Sequence, residues 1–130
     1  MRSLRFGWLW LGTGCVALAL VLTLALVPLA TRMPPLLSDK MAHGLTFAFL
    51  MTWFLGIFEL RLASRVAIML VGYGVLIELL QGLTPYRAVE VADVVADCAG
   101  IGIGWVLANA GLHQWAGRIE ALLGVRGDGR

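Results

Sequence analysis

The chain has 130 residues, 60% of them hydrophobic and 14% charged, with a formal net charge of +2. Soluble chains run to about 25% charged, and one of this size has too much surface to cover with so few charges. The composition excludes a soluble enzyme, a disordered tail and a nucleic-acid binder, and it predicts an integral membrane protein with room for one domain.

The first apolar run, about residues 7–30, contains no charge and exceeds the roughly 20 residues needed to cross a hydrocarbon core. It is too long for a signal peptide, and Leu26 to Ala30 make a poor cleavage site, so it reads as an uncleaved helix. Thr31 to Ser38, with Pro34 and Pro35, must be a loop, and Ser38 or Asp39 can cap the second helix. That helix is predicted over about 40–60, and Arg61 to Arg65 form a charged turn. The third helix, about 66–83, is broken by Glu78 and Gln81 and stops at Thr84 and Pro85. The fourth, about 91–112, carries Asp93 and Asp97 in its first two turns.

Leu112, Trp115, Ile119 and Leu122 then fall at helical spacing, which predicts a short interfacial helix over 112–123. Residues 124–130 read as a disordered cytoplasmic tail. The fold class is therefore an all-α membrane protein: an antiparallel bundle of four transmembrane helices plus a short C-terminal interfacial helix, in one domain over 1–123. Cys15 and Cys98 lie in apolar runs without a CxxC spacing and read as small apolar fillers.

Orientation is set by the basic residues. Arg2, Arg5, Arg61, Arg65, Arg118, Arg126 and Arg130 fall on one side, against Arg32, Lys40 and Arg87 on the other. Both termini should face the cytoplasm, with Trp8, Trp10 and Trp115 at that interface and Tyr86 at the outer one.

This topology gathers Asp39, Lys40, His43, Glu78, Gln81, Arg87, Glu90, Asp93 and Asp97 at the outer end, while the cytoplasmic half carries almost no ionisable group. Glu78 and Asp97 lie roughly 8 Å deep at 1.5 Å per residue, so both need partners inside the bundle. Ala92, Ala96, Gly100, Gly104 and Ala108 make a small-residue stripe suited to close helix contact, within one chain or across a homodimer.

Five acids face Lys40 and Arg87, an excess that requires shared protons, a charged His43 or a bound cation. A bland arrangement is also open, in which Arg87, Glu90 and Asp93 close the third loop as an ion-pair network and His43 satisfies Asp39. No HExxH, no nucleophile elbow and no second histidine accompany the cluster, so no metal or cofactor is assigned.

Asp39-Lys40-x-x-His43 opening a helix, then Glu78-x-x-Gln81, then Pro85-x-Arg87-x-x-Glu90-x-x-Asp93 before a glycine-containing helix, resembles the VanZ-like family. The likeness runs from Ser38 to Gly104 and implies a small bacterial membrane protein. Its named member is an accessory protein of glycopeptide-resistance clusters that confers teicoplanin resistance. Asp97 departs from the pattern, where asparagine is usual, so it must stay protonated or pair with His43 or Arg87. The resemblance implies ligand-binding residues Asp39, Lys40, His43, Glu78, Gln81, Arg87 and Asp93, and Asp97 joins them as a supporting candidate from its place in the cluster.

The expected protein sits in the bacterial inner membrane among lipids. There its outward cluster engages a lipid-linked envelope precursor or an amphiphilic antibiotic. An intramembrane enzyme for a lipid phosphate or ester, with His43 as base, and a structural module stand as alternatives. A proton-coupled carrier ranks below them, for want of relay residues toward the cytoplasm.

Overall fold

In the computed structural model, residues 1–27 and 39–124 are described, and every regular element among them is helical. The loop around Pro34 and Pro35, the Ser38 cap and the tail after Gly124 lie outside the described residues. The long helices are α1 (Gly7–Leu26), α2 (Asp39–Ile57), α3 (Ala63–Gly82) and α4 (Val91–Asn109). A short α5 (Trp115–Leu122) comes after a single 3-10 turn over Leu112–Gln114. The predicted charged turn is tighter than expected, a 3-10 turn over Leu60–Leu62 that runs straight into α3.

Three helical stretches are long and apolar enough to cross a membrane: Gly7–Leu26, Leu60–Gly82 and Val91–Asn109. The chain is thus a membrane protein by its helices. The remaining long helix, α2, has Asp39, Lys40 and His43 in its opening turns, which lower its mean hydropathy.

The four helices are not equivalent. In α2, Phe47, Ala48, Leu50, Met51 and the run Phe54–Ile57 are all buried, so its second half is largely enclosed, with Phe49 exposed on its outer side. A helix apolar all round belongs at the centre of a bundle. By contrast α1 buries only Gly7 and Gly14, and its Trp8, Leu9, Val16 and Leu20 face outward.

Closest approach falls between α2 and α4. A Cβ placed on Gly100 would stand 2.1 Å from the Gly44 carbonyl oxygen, and one on Gly104 would stand 2.5 Å from that of Ala48. Between helices in lipid no hydrophobic driving force operates, so contact of this kind supplies the adhesion. The small-residue stripe of α4 therefore packs inside the chain from Ala96 to Ala108, while Ala92 is exposed. The buried edge of α4 is Asp93, Asp97, Gly100, Gly104 and Ala108, which aims both aspartates at α2.

Side chains donating to backbone carbonyls tie α1 to its neighbours. Tyr73 Oη–H meets Leu18 O at 2.5 Å, Gln81 Nε2–H meets Ala25 O at 3.0 Å, and Trp53 Nε1–H meets Trp10 O at 3.3 Å. Of the predicted aromatic belt, Tyr86 and Trp8 face outward while Trp10 and Trp115 pack with Trp53, edge to face or tilted, with centroids 4.4 to 6.3 Å apart.

Candidate functional site

Three segments converge at one end of the bundle. The start of α2 supplies Asp39, Lys40 and His43; the end of α3 supplies Glu78 and Gln81; the connection and start of α4 supply Arg87, Glu90, Asp93 and Asp97. The helical periods fix their directions. Asp93 and Asp97, four residues apart, both project onto α2. Asp97 reaches inward because α3 presents Gly74 opposite it, where a Cβ would lie 2.5 Å from Asp97 Oδ2.

The pairings join segments distant in sequence. Lys40 Nζ lies 2.9 Å from Glu90 Oε2 and 3.3 Å from Asp93 Oδ1. Arg87 Nη1 lies 3.1 Å from Asp39 Oδ2. His43 Nδ1 lies 2.9 Å from Asp97 Oδ1, while its Nε2 faces Asp93 Oδ2 at 3.9 Å. The expectation that Arg87, Glu90 and Asp93 close their own loop is thereby corrected: each reaches across to α2. So is the pairing of His43 with Asp39. One helical turn separates those two on α2, whereas α4 brings Asp97 straight onto the imidazole. Of the options for Asp97, the structure takes pairing with His43.

Glu78 has a different task. It is 2% exposed, and its Oε2 accepts the Glu90 backbone N–H at 3.0 Å, fastening the end of the connection to α3. Gln81 is equally buried, and its amide turns away from the ion pairs to α1.

Two buried carboxylate oxygens, Glu78 Oε1 and Asp97 Oδ2, have no hydrogen-bond partner among the described residues. An unpaired buried acceptor forfeits about 1–3 kcal/mol of solvation, more when charged. These atoms mark where the cluster's negative excess is uncompensated. Asp39, His43 and Asp93 each offer a donor atom within 4.8 Å of the others, so these three could hold a metal ion.

Beside the cluster, a cavity of about 260 Å³ opens between α1, α2 and α3. Its rim is polar, with Asp39, His43, Gln81 and Arg87, and its walls are apolar, with Val21, Leu24, Phe47 and Ile77.

The opposite end of the bundle holds a buried acid. Glu120, on α5, is 3% exposed and accepts the backbone N–H groups of Arg5 and Phe6, at 3.0 and 2.9 Å, and the Trp10 indole at 3.1 Å. It acts as an N-cap for α1, whose own cap residue, Phe6, offers no side-chain bond. Burial pushes its carboxyl pKa up, but the hydrogen bonds from Phe6, Arg5 and Trp10 outweigh this and hold it below its ordinary value. Sequence reasoning missed this residue. The available signal was a helix starting at Gly7 with no serine, threonine, aspartate or asparagine just before it. The buried face of α5 is Ala116 and Glu120, while Leu112, Ile119 and Leu122 of the predicted stripe are exposed.

A family model described as VanZ/LLP1 matches residues 10–112, which extends the likeness across most of α1 and all of α4. No curated protein and no solved structure matches the chain.

Proposed function

The chain belongs to the VanZ/LLP1 family, and from that premise we propose a four-span protein of the bacterial cytoplasmic membrane whose polar cluster engages an amphiphilic cell-envelope ligand. The cluster faces outward and both termini face the cytoplasm. One observation carries the reading: a polar rim of Asp39, His43, Gln81 and Arg87 stands over an apolar cavity of about 260 Å³. A few convergent polar groups over an apolar wall suit a molecule with a charged head and an alkyl chain. Arg87, partly exposed and held by Asp39, offers guanidinium N–H groups to an anionic head. Lipid-linked envelope precursors and acylated glycopeptides both have this chemistry.

The test is glycopeptide susceptibility in a Gram-positive host producing the protein, comparing wild type with Arg87→Ala and Asp93→Ala at matched membrane levels. Resistance to teicoplanin but not vancomycin, lost in both variants, is the expected result. A well-inserted wild type that confers none removes the link to acylated glycopeptides. Retained resistance in both variants removes the cluster from the function.

The His43–Asp97 hydrogen bond favours a second reading, a hydrolase for a lipid phosphate or ester. A carboxylate on Nδ1 orients an imidazole so that Nε2 can act as a base. This reading requires turnover of a lipid substrate that His43→Gln abolishes.

A further inference from the structure

We infer that Asp39, His43 and Asp93 form a binding site for a divalent cation of the Zn²⁺ class, with Asp97 as its positioning residue. The inference rests on the reading of this cluster as a binding site and adds what the site holds first.

The donor set comes from two helices that pack at their closest just below it. Asp39, His43 and Asp93 each place one nitrogen or oxygen within 4.8 Å of the others. A zinc ion with bonds of about 2.1 Å holds its ligand atoms roughly 3–4 Å apart. Asp39 is exposed and paired only at the surface with Arg87, so its side chain can turn to close the remaining distance of up to about 1–2 Å.

The state of His43 is the second element. A carboxylate only accepts, so the 2.9 Å contact to Asp97 Oδ1 places the proton on Nδ1. That leaves Nε2, beside Asp93 Oδ2, as the ring nitrogen that can bind an ion once it gives up any proton. Their 3.9 Å separation is too long for a hydrogen bond and matches two ligands of one ion. A carboxylate on the far nitrogen of a ligating histidine is the usual way such a ring is fixed.

The third element is independent of that geometry. Asp97 is 1% exposed, and its Oδ2, which faces Gly74 of α3, has no hydrogen-bond partner among the described residues. Glu78, 2% exposed, keeps a second such oxygen. Among the described residues Lys40 is taken by Glu90 and Asp93, and Arg87 by Asp39, so neither reaches Asp97 or Glu78. A divalent ion on His43 and the two aspartates puts positive charge where that excess lies. One imidazole with carboxylates suits zinc better than magnesium or calcium, which take oxygen ligands.

The test uses the full chain in detergent or nanodiscs and Zn²⁺ alone, counted by equilibrium dialysis and characterised by X-ray absorption. Expected is one ion per chain, with nitrogen and oxygen ligands and no sulfur. Affinity should fall at least about 100-fold in His43→Gln and Asp93→Asn, and about 10–100-fold in Asp97→Asn. Glu59→Gln, at the opposite end of the bundle, should change nothing.

Absence of stoichiometric Zn²⁺ in wild type overturns the site, as does sulfur ligation or unaltered binding in His43→Gln. Circular dichroism without metal checks each variant's fold. If His43→Gln misfolds, the imidazole signature of wild type and the Asp97→Asn affinity decide. Zinc binding without teicoplanin resistance would sink the amphiphile reading alone, and resistance without zinc binding would sink this one alone.

Discussion

Gly100→Ala tests whether the α2–α4 contact builds the site. The new methyl would lie 2.1 Å from the Gly44 carbonyl oxygen and 2.8 Å from its carbon, both backbone atoms that no rotamer change can move. An ordinary carbon–oxygen contact is about 3.3 Å, so the helices must part by roughly 1 Å. Overpacking of this kind costs about 1–3 kcal/mol, and two backbones meeting face to face belong at the upper end. At about 2–3 kcal/mol the folding equilibrium constant falls roughly 30- to 150-fold. The same displacement stretches the 2.9 Å His43–Asp97 hydrogen bond beyond bonding range. Gly102→Ala is the matched control, since a Cβ there meets nothing within 4 Å and alanine favours the helix. Equilibrium unfolding in mixed micelles, monitored by circular dichroism, measures both variants. If Gly100→Ala unfolds with wild type and Gly102→Ala, the reasoning about the helix contact is wrong.

Glu120→Ala should cost about 1–3 kcal/mol, because it strips acceptors from two backbone N–H groups and the Trp10 indole; a red shift in tryptophan emission checks it. The folded Glu120 carboxyl titrates below its ordinary 4.5, so its stabilisation is present above that pH and is lost as pH falls through the lower, folded value. Unfolding curves between pH 6 and 3 should therefore slope more steeply in wild type than in Glu120→Gln, and equal slopes would refute the assignment. Gly56→Ala should expel Trp115, whose Nε1 would sit 1.9 Å from the new methyl, and quenching by a lipid-soluble agent reports the ring's new exposure. For topology, single cysteines at Ser3 and Val89, in a chain lacking Cys15 and Cys98, should react with an impermeant maleimide only at Val89 in intact spheroplasts. Labelling at Ser3 would reverse the proposed orientation.

The helices, and the end of the bundle at which the acids gather, are legible in the sequence without any structure. Apolar run length, the stops at Pro85 and around Arg61, and the i,i+4 spacing of Asp93 and Asp97 are local properties, set by the fixed rise and period of a helix. Which charge meets which is a matter of tertiary packing, because pairing depends on the rotation of each helix about its axis. The buried half of α2 is apolar on every side and so carries no directional signal. Only the glycines of α4, seated on Gly44 and Ala48, turn Asp97 toward His43 and Asp93 toward Lys40. Glu120 was hidden for the same reason. Its partners, Arg5, Phe6 and Trp10, stand more than 100 residues away in the chain, and nothing local in α5 distinguishes a buried acid from a solvated one.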